Sequence, residues 1–354
     1  MFRLIILAVL SVFIGSNTYI AHILARWMGL NAPWTVVWYV GFGLLAASFF
    51  LSMLLPAHSA IRRAVYLLGG WFMAVYLLLL IIVPLLHLLL RGRNGPMTVA
   101  VLLIAAVLYA AVGTWNAGVI RTTRYTVESS KGQPMKIALI SDLHIGELIG
   151  AEKVREMVEA INAIDADIVL MAGDLFDVAG PKAVQDLEAV GTELRAIRSR
   201  KGVYAIFGNH DAGMNHQEDY AAQLMESWGM TVLRDETVRL EGVTIVGRRD
   251  KHMARQEIFE LMEGVDPTDF IIMLDHQPYE LTEANADGVD LLVCGHTHGG
   301  QVFPANLVTG RMFKLDYGIL REGDFTAIVS SGAGTWGPRM RTATVSEVVE
   351  ITVK

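Results

Sequence analysis

Five short segments combine carboxylates, an amide and imidazoles in a way that suits metal binding: Asp142-Leu143-His144, Gly173-Asp174, Gly208-Asn209-His210-Asp211, Asp275-His276 and Gly295-His296-Thr297-His298. Any one of them is weak evidence, because Gly-Asp after a strand commonly makes a turn and a lone histidine commonly serves structure. Together they hold five of the ten histidines, which points to one shared site. Hard oxygen donors mixed with imidazoles suit Mn²⁺, Fe or Zn²⁺, whereas thiolates suit softer metals. Two such ions ~3.5–4 Å apart polarise a phosphoryl oxygen, generate hydroxide from water and steady an in-line transition state, with a carboxylate as the natural bridge. The chemistry indicated is hydrolysis at phosphorus by a dinuclear centre.

Each segment follows an apolar run, at 137–141, 168–172, 203–207, 270–274 and 291–294, and further runs stand at 243–246 and 326–329. Residues 124–129 alternate like a strand, and Gly132-Gln133-Pro134 reads as a turn. Helical stripes lie between: Val154, Met157, Val158 and Ile161; Val184, Leu187, Val190, Leu194 and Ile197; Tyr220, Leu224 and Trp228. Strands alternating with helices give an α/β sandwich in which ligands gather beyond the carboxyl ends of the strands. Residues 121–354 are enough for one such domain, and they contain no internal repeat or low-complexity linker.

The order D-x-H, G-D, G-N-H-D, H, G-H-T-H over residues 136–298 resembles the calcineurin-like metallophosphoesterase superfamily, with every element present. Gly299-Gly300-Gln301 and the stretch 332–341 resemble its bacterial membrane-associated branch. The resemblance implies a four-layer αββα sandwich. It implies a first metal on Asp142, His144, Asp174 and His298, with Asp174 bridging to a second metal on Asn209, His276 and His296. It also implies that His210 touches the phosphate and donates a proton, with Asp211 orienting its ring.

Residues 1–120 are of another kind. They hold six arginines, no lysine and no acid, so all 36 acidic residues and the other 23 basic ones fall in 121–354. The net charges are +6 and −13, and the acidic, water-facing part would repel a phosphate backbone, so no nucleic acid is expected as partner. Four apolar stretches, 4–25, 34–55, 65–90 and 97–120, are each long enough to span ~30 Å of hydrocarbon. Pro33, Pro56 and Pro96 mark their boundaries. The first stretch reads as a retained helix rather than a cleaved signal peptide, because no small-x-small site follows it in good position. Arg3, Arg62, Arg63, Arg121 and Arg124 flank one side, against Arg26, Arg91 and Arg93 on the other. That bias places the catalytic domain in the cytoplasm of a multi-pass cell-membrane protein.

A transporter or sensor whose soluble domain binds metal without turnover is the rival, but it needs ionisable groups at membrane depth. The stretches have no acid, His22 and His87 lie near their ends, and Gly41, Gly43, Gly69 and Gly70 read as helix-packing positions. Residues 1–120 therefore read as an anchor in the lipid bilayer. The G-x-G-x-x-G of 332–337 is no dinucleotide site, since Pro338 stands where a helix must begin. Arg248, Arg249 and Lys251 beside His252 read first as a solvated turn and second as a phosphate-binding cluster. Arg339 and Arg341 are further candidates for the substrate, and His216 reads as a loop residue. The single Cys294 reads as a small buried hydrophobe and excludes an internal disulfide. About 15 residues join the fourth stretch to the first catalytic strand, a reach of at most ~54 Å. That short tether favours a lipid or lipid-linked phosphate over a freely diffusing protein.

Overall fold

The computed structural model describes residues 2–90, 95–131, 134–177, 180–212 and 218–354. Arg91, Arg93, His216 and the Gly132-Gln133 part of the expected turn lie outside the described residues. The chain divides into two units, Met1–Trp115 with Gly337–Thr342, and Asn116–Trp336 with Ala343–Lys354.

The first unit is built on α1 (Phe2–Met28), α2 (Ala32–Ser52), α3 (Ala60–Leu89) and α4 (Pro96–Gly118). All four are long and apolar enough to cross a membrane. The Asn31 side chain caps α2, Ser59 caps α3, and Pro96 opens α4, where its missing N–H is harmless. Ile20, Leu24, Trp27, Phe42, Phe72 and Tyr76 form the shared core. Gly69 permits close helix contact, since a Cβ there would strike the Phe49 backbone. The packing role expected of Gly41 and Gly43 is not found: both face open space, with nothing within 4 Å of an added Cβ.

Among the described residues the second unit holds twelve strands and seven α-helices. The strands are β1 (Ile120–Val127), β2 (Met135–Ile140), β3 (Ile168–Ala172), β4 (Val203–Ile206), β5 (Thr231–Val232), β6 (Glu236–Leu240), β7 (Val243–Gly247), β8 (Phe270–Leu274), β9 (Leu291–Cys294), β10 (Gly318–Glu322), β11 (Phe325–Val329) and β12 (Ser346–Val353). The helices are α5 (Ala151–Asn162), α6 (Leu187–Arg195), α7 (Asn209–Ala212), α8 (Glu218–Ser227), α9 (Ile258–Leu261), α10 (Leu281–Ala286) and α11 (Asn306–Met312). One sheet runs β1-β12-β2-β3-β4-β5 and the other β10-β11-β9-β8-β7-β6.

Between the sheets Ile137, Leu139, Leu170 and Ile206 share a core with Ile245, Ile272, Leu274 and Val293. The outer face of the first sheet, through Val169, Met171 and Ala205, meets Val154, Met157 and Ile161 of α5, Val190 and Leu194 of α6, and Met225 of α8. Ile271, Met273 and Leu292 on the second sheet meet Ile258 and Leu261 of α9 and Leu281 of α10. The result is the four-layer αββα sandwich. Covered on both faces, its central strands read as unbroken apolar runs.

Two stripes differ in detail from expectation. Asp186 caps α6 by accepting from the Ala189 amide at 2.9 Å, so the helix starts after Val184, which packs from the preceding turn. In α8 Ala221, Ala222 and Met225 are buried; of the expected stripe, Leu224 and Trp228 pack on the same core and Tyr220 is exposed.

Candidate metal centre

In the first sheet β2, β3 and β4 run parallel and adjacent, as β7, β8 and β9 do in the second, so each set opens its carboxyl ends on one rim. Pairing continues past the first sheet. The Asp142 amide donates to Gly173 C=O at 3.0 Å and the His144 amide to Asp174 C=O at 3.1 Å, which fixes those side chains beside Asp174. Asp142, His144, Asp174, His296 and His298 all have φ between 49° and 72°. This left-handed region is rare for residues with a Cβ and costs about 1–3 kcal/mol each time. Among the described residues, five of the nine non-glycine residues with positive φ thus sit at one site, where the bends turn the side chains inward.

Among the described residues three groups of donors converge; His144, Asp177 and His210 make one, and the other two hold the expected ligands. Asp142, His144 and His298 form one, with His144 Nε2 3.1 Å from His298 Nε2 and Asp142 Oδ1 3.6 Å from His298 Nε2. Asp174, His276 and His296 form the other, with His276 Nε2 3.2 Å from Asp174 Oδ2. Asn209 joins the second group, its Oδ1 2.7 Å from His296 Nδ1 and 3.2 Å from His276 Nε2. Asp174 Oδ2 also lies 3.9 Å from His144 Nε2, so it stands between the groups. His276 Nδ1 donates to Ala172 C=O at 2.7 Å, which turns the Nε2 lone pair toward the site. Gly208 and Gly295 admit the carboxylates: a Cβ on either would strike Asp174 or Asp142 respectively. Oxygen and imidazole donors aimed at common points, with two ring nitrogens at 3.1 Å, fit divalent ions.

Burial alone would raise the Asp142 and Asp174 pKa values, but the surrounding imidazoles more than offset it and both carboxyls are lowered. Burial acts the other way on His276, where the Asp174 charge and hydrogen bond win and raise it well above the ordinary value. His296 falls to about 4, through burial and then the neighbouring His276 charge.

His210 stands beside this pair, its Nε2 4.0 Å from Asp174 Oδ2 and its ring edge-on to Trp336 at 6.1 Å. Asp211 does not hold that ring. Its buried carboxylate accepts from the amides of Leu175 at 3.1 Å, Phe176 at 2.9 Å and Gly208 at 3.0 Å, and so ties two ligand loops together. The carboxylate near the His210 ring belongs to Asp177, whose Oδ1 is 3.4 Å from Nδ1. Asp177 is not among the residues expected at the site; its position three residues after Asp174, in G-D-x-x-D, is the one local signal for it. Arg248 is no solvated turn: it is fully buried, bonded to Asp275 at 2.7 Å and Glu280 at 2.6 Å. Cys294 is buried on β9, and burial raises its thiol pKa well above the ordinary value.

Residues 135–300 match the model of the calcineurin-like phosphoesterase family. An uncharacterised metallophosphoesterase of Aquifex aeolicus is 30% identical over 264 residues, covering 70% of this chain and 97% of that protein. The chain belongs to the calcineurin-like phosphoesterase family. An uncharacterised metallophosphoesterase of Helicobacter pylori is 30% identical over 221 residues, 60% of this chain and 58% of its own. A transmembrane protein with a metallophosphoesterase domain from Danio rerio is 29% identical over 281 residues, 73% of this chain and 62% of its own. The chain thus spans about three fifths of the length of these last two relatives. Its four long apolar helices fit the membrane-associated branch of the calcineurin-like family.

Proposed function

We propose that this chain is a membrane-anchored phosphoesterase that uses two divalent ions, Mn, Fe or Zn, to hydrolyse a phosphodiester, phosphomonoester or pyrophosphate bond. The observation that carries the reading is the convergence of six further donor residues around Asp174. Asp142, His144, Asp174 and His298 would hold one ion, and Asp174, Asn209, His276 and His296 the other. Such ions supply Lewis acidity toward the phosphoryl oxygens and a nucleophile at neutral pH. His210 Nε2 donates a proton to the departing oxygen, and Asp177 keeps the proton on Nδ1 and the ring turned. Asp211 acts on His210 by fixing its loop.

The substrate in this reading is a phosphorylated small molecule carrying, or carried by, lipid. Phe303, Leu307, Val308 and Met312 follow the His298 loop and are exposed, which suits acyl chains better than water. Only Val119 stands between α4 and β1. In mixed micelles, full-length protein should hydrolyse lipid phosphodiesters or pyrophosphates with higher kcat/KM than matched water-soluble analogues. Equal values would remove the lipid part of the reading. The arginine bias favours a cytoplasmic domain in this reading, and a reporter that works only there, fused after Lys354, should be active.

A further inference from the structure

The end of β7 opens beside the ends of β8 and β9, in register at Gly247 with Leu274 and at Leu274 with Val293. Residues 248–255 therefore leave the sheet next to the loops that carry His276 and His296. This stretch holds five groups able to carry positive charge, and the structure treats them unequally. Arg248 and Arg255 share Asp275 and Glu280 at 2.6–3.2 Å, and Arg249 faces Glu218 at 3.6 Å. Lys251 has no acidic partner among the described residues. Its ammonium rests 3.9 Å from the centre of the Tyr279 ring. Tyr279 in turn packs on Phe313 at 4.9 Å, and Phe313 meets the ligand candidate His296 at 6.2 Å. An aromatic shelf thus runs from the metal centre to an unneutralised cation.

His252 completes the shelf. Asp250 is fully buried, an expensive place for a carboxylate unless its bonds are made. It accepts from Gln277 Nε2 at 2.7 Å, the residue after His276, and pairs with His252 Nδ1 at 2.8 Å. The imidazole it fixes is itself exposed, with 65% of the side chain open to solvent. Its Nε2 has no protein partner among the described residues. A buried carboxylate that pins an outward imidazole, beside a cation parked on an aromatic face, is a preformed receptor for an anion.

We propose that Lys251 and His252 bind a second anionic group of the substrate, a phosphate or carboxylate, beyond the phosphoryl group being hydrolysed. Asp250 is the positioning residue for His252. The proposal rests on the phosphoesterase reading and narrows its substrates to esters with two anionic centres.

The test uses purified full-length protein loaded with Mn²⁺ and two aryl phosphodiesters differing only in whether the alkyl arm ends in a hydroxyl or a phosphonate. The wild type is expected to favour the phosphonate ester through a lower KM. Lys251→Ala and His252→Gln should each shrink that preference about tenfold, the size of one charge-assisted contact, while Lys251→Arg keeps it. An unchanged preference in Lys251→Ala, or an equal loss on both esters, overturns the subsite. Titration with 2-hydroxyethylphosphonate separates this proposal from the phosphoesterase reading. Weaker binding by Lys251→Ala supports the subsite even where neither ester turns over, and equal binding by both proteins overturns it.

Discussion

The Nε2 atoms of His144 and His298 face one another across 3.1 Å, although 154 positions separate the two residues in the chain. Two imidazole lone pairs at that distance repel unless a proton or a cation lies between them. A divalent ion that binds only the folded chain stabilises it, by about 2.7 kcal/mol at a hundred times its Kd. For a domain of this size that corresponds to roughly 5–10 °C in melting temperature. Chelation should therefore lower the calorimetric Tm of the detergent-solubilised protein, and added Mn²⁺ or Zn²⁺ should restore it. A Tm indifferent to chelator would mean that the donors hold no ion.

Asp211 and Asp177 lie close in the fold but have separate tasks. Asp211→Asn leaves at least one of three buried amides without its acceptor and should cost about 1–3 kcal/mol, read from denaturant unfolding. Asp177→Asn should leave stability nearly unchanged and lower kcat about tenfold or more with little change in KM, since it alters the partner of His210 Nδ1. Reversed phenotypes would restore Asp211 as the residue that orients the ring.

Gly208 and Gly295 make a steric prediction. A methyl group at either position meets a ligand carboxylate, and misplacing a catalytic group by about 1 Å costs on the order of 10²-fold in rate. Gly208→Ala and Gly295→Ala should fold, as judged by far-ultraviolet circular dichroism, yet lose metal content and most turnover together. Full metal occupancy with normal kcat in both would show that the carboxylates have room to spare.

Acid stability should depend on Asp269. The hydrogen bond and charge of Arg239, at 2.7 Å, together with the Thr244 hydroxyl at 2.8 Å, hold its pKa below the ordinary value, against burial and the Asp266 charge, which both act to raise it. A pKa lowered by folding gives stability that is complete above the unfolded value of about 3.9 and is lost as pH falls through the folded value. Asp269→Asn should therefore be less stable than wild type at pH 7, with the gap closing toward pH 2. A gap independent of pH would assign the loss to packing.

Much of this candidate centre is legible in the sequence because its donor residues all lie within four residues of a strand end. A run such as 168–172, buried on both faces, announces itself by composition, and Gly173-Asp174 then lies at its carboxyl end. What stays hidden is whatever long-range pairing decides. β12 inserts between β1 and β2, parallel to one and antiparallel to the other, and nothing local in residues 346–353 names those partners. The contacts of Asp211 stay hidden for the same reason: its neighbour in sequence is His210, whereas its partners in space include the amides of Leu175 and Phe176. Arg248 reads as a solvent-facing charge until the two acids that bury it, Asp275 and Glu280, arrive from the end of β8.

Asp174 is the residue on which the account turns, because its carboxylate stands between both donor groups. The most direct measurement is metal-dependent hydrolysis of bis(4-nitrophenyl) phosphate by purified full-length protein, wild type beside Asp174→Ala, with metal content determined on the same samples. Turnover by the wild type should rise with Mn²⁺ or Zn²⁺, and the variant should lose both turnover and bound metal. Near-normal turnover by Asp174→Ala would contradict this.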